Sequence, residues 1–120
     1  MMTSRFTELI VDCAEPKRLA EFWAAVLGWQ PTPGDDEEIE LAGPPGSGPS
    51  LLFIPVPEPK TVKNRLHIDV NPVGGEQEQE VERLIELGAR RVDVGQGEQS
   101  WVVLADPEGN EFCVLRSRVD

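Results

Sequence analysis

Apolar and polar residues alternate from Phe6 to Asp12, with Thr7, Leu9 and Val11 on one side and Phe6, Glu8, Ile10 and Asp12 on the other. A period of two predicts a strand with one packed and one mixed face. The period then lengthens. Leu19, Phe22, Trp23, Val26 and Leu27 recur at three- and four-residue steps, which puts them on one side of a helix, with Pro16 suited to its first turn and Gly28 to its end. "WQPTPG", the short "EEIELAG", the Pro/Gly loop "PPGSGP" and the strand-like "SLLFIPV" follow. The first half therefore reads as strand, helix, then three strands.

The second half repeats this order. "RLHIDV" predicts a strand with Leu66, Ile68 and Val70 on an apolar face and His67 and Asp69 on the opposite one. Val81, Leu84 and Ile85 form a helical stripe ended by Gly88, and "ARRVDV", "SWVVLA" and "EFCVLR" supply three more strands. The run Asp106-Pro107-Glu108-Gly109-Asn110 is a turn signal before the last strand.

Glu8 stands four residues before Asp12 and His67 four before Asn71, an offset of 59; Leu27-Gly28 and Leu87-Gly88 are offset by 60. The pattern predicts an α+β fold of two βαβββ units, 1–59 and 60–120, within one domain spanning 1–120, joined through the proline-broken "VPEPKTVKN". The mixed faces of the first strands are expected to line a cavity on the concave side of a curved mixed sheet.

A chain of 120 residues with 39% hydrophobic and 28% charged content is long enough to bury a core without disulfides or a structural metal. Eleven basic against 22 acidic residues give a net charge of -11, which repels phosphate backbones and anionic lipid, so neither nucleic acid nor membrane is expected as a partner. No apolar run approaches the roughly 20 residues that span a bilayer. The opening "MMTSRFTELIVD" lacks the layout of a secretory leader, and a cytoplasmic location is expected. Cys13 and Cys113 form no C-x-x-C pattern and are expected to be reduced and buried.

The lone histidine, His67, rules out any mechanism that needs two imidazoles. It is either hydrogen-bonded within the sheet face or in contact with ligand, where it could serve as a base near neutral pH. Glu8, a charge on an otherwise apolar strand, calls for a partner such as Arg5, Arg65 or His67, or for a ligand. Asp69 shares the face of His67. Trp23 and Trp29 fit core packing, whereas Trp101, at the start of a strand, is a candidate for either the core or a cavity wall. The chain has no G-x-S-x-G, phosphate loop, dinucleotide fingerprint or zinc-finger spacing, which disfavours hydrolase and nucleotide-dependent roles.

The paired strand-helix-three-strand layout resembles the vicinal oxygen chelate superfamily, which includes glyoxalase I, ring-cleaving dioxygenases, fosfomycin-modifying enzymes and bleomycin-binding resistance proteins. "AEFWAAVLGW", "VPEPKTVKNRLHIDV" and "DPEGNEFCVL" are similar to small bacterial glyoxalase-like proteins, and the resemblance spans nearly the whole chain. It implies up to four metal ligands, one from the first and last strand of each unit. Those positions are Glu8, His67, Cys113 and, by the repeat offset, Phe53, or Ile54 if the register slips by one.

Neither Phe53 nor Ile54 can ligate, so the metal set is incomplete. Glu8, His67 and Cys113 could form a three-ligand zinc set, and Glu8 with His67 alone a weak one. The expectation is a glyoxalase-like protein that binds a small molecule through Glu8, Phe53, His67, Asp69, Trp101 and Cys113, with no resident cofactor and little glyoxalase activity. One alternative is a divalent-metal lyase, isomerase or dioxygenase using zinc, nickel, manganese or iron. Another is a sequestering resistance protein for a cationic drug, which the charge of -11 favours. Superfamily members pair through sheet edges or swapped units, so the resemblance also implies a homodimer.

Overall fold

The computed structural model describes residues 2–119, and its contacts divide the chain into two compact units with the boundary between Pro59 and Lys60. In the first unit the predicted alternation becomes β1 (Glu8–Cys13), where Leu9 and Val11 are half-buried, Cys13 is buried, and Glu8, Ile10 and Asp12 are exposed. α1 (Pro16–Leu27) follows, then β2 (Gln30–Pro31), β3 (Ile39–Ala42) and β4 (Ser50–Pro55). The sheet order is β1-β4-β3-β2, with β1 parallel to β4 and the other pairs antiparallel.

α1 packs on β3 and β4. It buries Leu19, Ala20, Phe22, Trp23 and Val26 in the core that also holds Leu41, Leu51 and Phe53. Each large side chain removed from water in this way contributes about 1.5–3 kcal/mol. Gly28 ends the helix in the left-handed region, φ 70° and ψ 27°, and its N–H donates to Ala24 O at 2.8 Å. A side chain in that conformation costs about 1–2 kcal/mol.

The second unit comprises β5 (Asp69–Val70), α2 (Gln77–Leu87), β6 (Arg90–Arg91), β7 (Val102–Ala105) and β8 (Glu111–Val114). Its order, β5-β8-β7-β6, again pairs the first and last strands in parallel. α2 packs on β6 and β8 and buries Val81 and Leu84, while Ile85 stays 38% exposed. The narrower apolar stripe is offset at the N-terminus by a capping box. There the Glu76 N–H donates to Gln79 Oε1 at 2.8 Å, and the Glu76 side chain accepts from the backbone of Gln79. Glu78 and Glu80 in the first turn suit the helix dipole. Leu104, Phe112 and Val114 complete this core.

The two sheets and two helices make an α+β fold with the βαβββ order predicted for each half. The strands of the second unit are shorter than the segments that predict them, β5 and β6 most of all. Before β5, Leu66 is 83% exposed and does not join an apolar face. There Asn64 Nδ2 donates to Glu111 O at 3.3 Å, a backbone acceptor next to the β5–β8 pairing, and the Asn64 N–H donates to the Glu111 side chain at 2.9 Å. After β6, the Asp93 and Gln96 side chains accept the N–H groups of Gly95 and Val94, and the ladder stops. Among the described residues no helix is long and apolar enough to cross a membrane.

Candidate functional site

The site of the second unit is built by a period of two on three strands. Asp69 is the register partner of Cys113 across β5 and β8, and Val103 of β7 is the partner of Cys113 on its other side. Side chains at i and i+2 share a face, so Glu111 flanks Cys113, while His67, Trp101 and Leu115, just beyond the ends of β5, β7 and β8, lie on the same side as Asp69, Val103 and Cys113. All seven line a cavity of ≈ 360 Å³, with Lys63, Val94 and Gln96 from loops completing its wall. The opposite side of the same strands is the α2-facing core, which takes Phe112, Val114 and Leu104.

The turn before β8 fixes where its residues fall. Asp106 is buried, and its Oδ1 accepts the N–H of Glu108 at 2.9 Å and of Asn110 at 3.0 Å, while Oδ2 accepts from Asn110 Nδ2 at 2.9 Å. A buried carboxylate satisfied by three donors makes the Asp106–Asn110 run a rigid bracket instead of a solvated turn. One residue on, Glu111 is held in turn. Lys60 Nζ lies 3.1 Å from its carboxylate and also donates to Val62 O at 2.6 Å. Burial by itself would raise the Glu111 pKa, but the Asn64 N–H and the Lys60 ammonium outweigh it and hold the carboxyl below its ordinary range.

Three donor groups meet at the centre of this face. His67 Nε2 is 3.1 Å from Asp69 Oδ1, with both side chains nearly half exposed. Cys113 is buried beneath them and hydrogen-bonded to Asp69. Burial pushes the Cys113 thiol up and the Asp69 carboxylate adds to the rise, while Lys63 pulls the other way, so the group is a protonated thiol at neutral pH. Ligand atoms of His67, Asp69 and Cys113 all lie within 4.8 Å of one another, a grouping that could hold a metal ion.

Of the residues singled out in the sequence, the second unit thus brings together His67, Asp69, Trp101 and Cys113 around one cavity. Glu8 belongs to the first unit and is exposed on the open side of β1. Phe53 is a correction. It is fully buried, at 0% exposure, on the α1 side of β4, and therefore belongs to the core and not to a cavity wall. The sheet register shows why: Cys113 pairs with Asp69, two residues past His67, whereas Ile10, two residues past Glu8, pairs with Leu52. The first-unit counterpart of Cys113 is Leu52, with Ile54 two residues further along the same face. Leu52, like Phe53 and Ile54, has no donor atom for a metal.

Sequence reasoning also passed over Glu111, Val103 and Leu115, although each lies two residues from or directly across from Cys113. Lys63, Val94 and Gln96 come from irregular segments where no period marks a facing side. On the open face of the first unit a separate polar group forms, with Glu40 accepting from Thr32 Oγ1 at 3.0 Å and from Ser50 Oγ at 2.9 Å.

The fold is shared with solved proteins of low sequence identity. A glyoxalase/bleomycin resistance protein/dioxygenase family enzyme from Burkholderia phytofirmans superposes with a TM-score of 0.69 at 16% identity, covering 92% of this chain and 97% of that one. The fosfomycin resistance protein FosX from Listeria monocytogenes gives 0.72 at 15% identity, covering 97% and 93%. A variant of that FosX has been solved with Mn(II) and 1S,2S-dihydroxypropylphosphonic acid, with a TM-score of 0.70, 14% identity, and 95% and 90% covered. No curated protein matches the chain in sequence. The family model described as glyoxalase-like domain matches residues 8–115, from the start of β1 to just past β8, and the chain therefore belongs to the glyoxalase-like domain family.

Proposed function

We propose that the protein binds a small organic molecule on the open face of its second unit. The observation that carries this reading is the ≈ 360 Å³ cavity, whose wall divides into an apolar part, Trp101, Val103 and Leu115, and a polar part, His67, Asp69 and Lys63. Its volume is within the range of small-ligand sites, and a few placed polar groups on an apolar wall are what such sites use for orientation. Trp101, 38% exposed, offers a flat face for an aromatic or otherwise planar group. Asp69 and Lys63 put opposite charges on one wall, which suits a zwitterionic or polar neutral molecule better than a simple cation. Glu111 already has Lys60 as its counter-ion and adds little free charge.

A thermal-shift screen of the native chain against a small-molecule library that includes fosfomycin and bleomycin tests the proposal. A ligand at one hundred times its Kd stabilises the folded state by about 2.7 kcal/mol, a clear rise in Tm. Compounds that stabilise the native chain but neither Trp101→Ala nor His67→Ala support the reading. Compounds that stabilise all three chains equally bind elsewhere and would sink it.

A further inference from the structure

We propose that His67, Asp69 and Cys113 form a metal site for a thiophilic, tetrahedral divalent ion of the zinc class, with all its protein ligands drawn from the second unit. The site stands whether or not an organic ligand occupies the cavity, so it does not rest on the binding reading above.

The donor set is the first ground. An imidazole nitrogen, a carboxylate oxygen and a thiol sulfur lie within 4.8 Å of one another. Zinc takes nitrogen at about 2.0–2.1 Å, oxygen at about 2.0–2.2 Å and thiolate sulfur at about 2.3 Å. Tetrahedral angles then ask for donor separations of roughly 3.3–3.7 Å. Nitrogen and oxygen are already 3.1 Å apart, so small side-chain rotations suffice to close the set.

The backbone is the second. Register pairing fixes Asp69 beside Cys113, and His67 follows on the same face, so the three side chains converge without any contribution from β1. His67 and Asp69 are partly exposed toward the cavity while Cys113 forms its floor. Three protein ligands and one open position facing a cavity is the layout of a zinc site that still admits water or another ligand.

The third ground is selectivity. A thiolate and an imidazole favour zinc and cobalt, whereas a hard ion such as manganese is served best by carboxylate and water oxygens. In the metal-free chain Asp69 bonds to both His67 and the Cys113 thiol. An incoming ion replaces the thiol proton, which passes to solvent, and takes over the contacts that Asp69 now makes. Binding neither forms nor breaks any other covalent bond.

Cobalt(II) chloride titrated into the full chain, purified without chelators, tests the site by absorption. The expected result is one equivalent bound, with a near-ultraviolet charge-transfer band from thiolate to metal. Zinc should displace the cobalt stoichiometrically, and excess manganese should not. Cys113→Ser should remove the band. His67→Ala and Asp69→Asn should weaken cobalt binding by more than about tenfold, since even outer contacts of a metal site cost that much. Glu8→Gln should leave band and affinity unchanged. Melting curves without metal confirm that each variant folds; if Cys113→Ser does not, the band of the native chain and the other two variants decide. Absence of the band, displacement by manganese as readily as by zinc, or a loss with Glu8→Gln as large as with His67→Ala would each overturn the proposal.

Discussion

Asp69 and Cys113 face each other across the parallel pairing of β5 and β8, and the carboxylate of one hydrogen-bonds the thiol of the other. That contact adds to the effect of burial on the Cys113 thiol. Burial and the adjacent negative charge both raise its pKa, so the sulfur at the floor of the cavity is a weak nucleophile in the metal-free chain.

Alkylation rates should show this directly. Cys113 should react with iodoacetamide near neutral pH more slowly than a free cysteine. Asp69→Asn, which removes the charge but keeps the size, should speed the reaction several-fold by lowering the thiol pKa. Site-resolved mass spectrometry separates Cys113 from the other buried thiol, Cys13. A rate at Cys113 that Asp69→Asn leaves untouched would mean that burial alone sets its pKa.

Glu111 ties the segment from Lys60 to Asn64 to the start of β8 through an ion pair and a backbone hydrogen bond. Glu111→Gln keeps an acceptor but loses the charge, and should cost about 1 kcal/mol at pH 7. The folded-state pKa of Glu111 lies below its ordinary value of 4.5. Its contribution is therefore complete above that value and is lost as the pH falls through the folded pKa. The difference in Tm between the native chain and Glu111→Gln should accordingly shrink from pH 7 to pH 3. A difference that grows in acid would contradict the sign of the shift.

The register of β4 can be tested by truncating neighbours. Phe53→Ala removes a ring from the fully buried α1 side and should destabilise the fold by about 3–5 kcal/mol, whereas Leu52→Ala, on the half-buried open side, should cost much less. Denaturant unfolding of both variants gives the comparison. Equal losses would mean that the two faces of β4 are packed alike.

That test bears on how much of the molecule its sequence carries. Both helices and the order of elements along each unit follow from the change of period between two and about 3.6, and from Gly28 and Gly88 at the helix ends. The cavity residues His67, Asp69 and Cys113 are legible for the same reason, since they are neighbours at a spacing of two or across one strand pair. Phe53 failed because the repeat does not keep one offset. It is 59 at Glu8 and His67, 60 at the Leu-Gly pairs, and 61 where β4 matches β8, Leu52 against Cys113. A single extra residue in a strand turns every side chain to the other face. Leu66 stays outside β5, where the preceding segment is held by bonds between Asn64 and Glu111, residues far apart in sequence whose pairing no local period marks.

Asp106 carries the last prediction, because the bracket it forms decides which β8 residues face the cavity. Removing its carboxylate in Asp106→Ala would leave the N–H groups of Glu108 and Asn110 without their acceptor, at a cost of about 2 kcal/mol or more. Asp106→Asn keeps one oxygen able to accept and should cost less. The effect should also reach the site: with the turn loosened, Glu111 and Cys113 are no longer held in phase with Asp69. Amide exchange should speed up at Glu111 and Cys113 of β8 in Asp106→Ala while α1, in the other unit, keeps its protection. Uniform loss of protection across both units would show that the turn supports overall stability alone and does not set the position of β8.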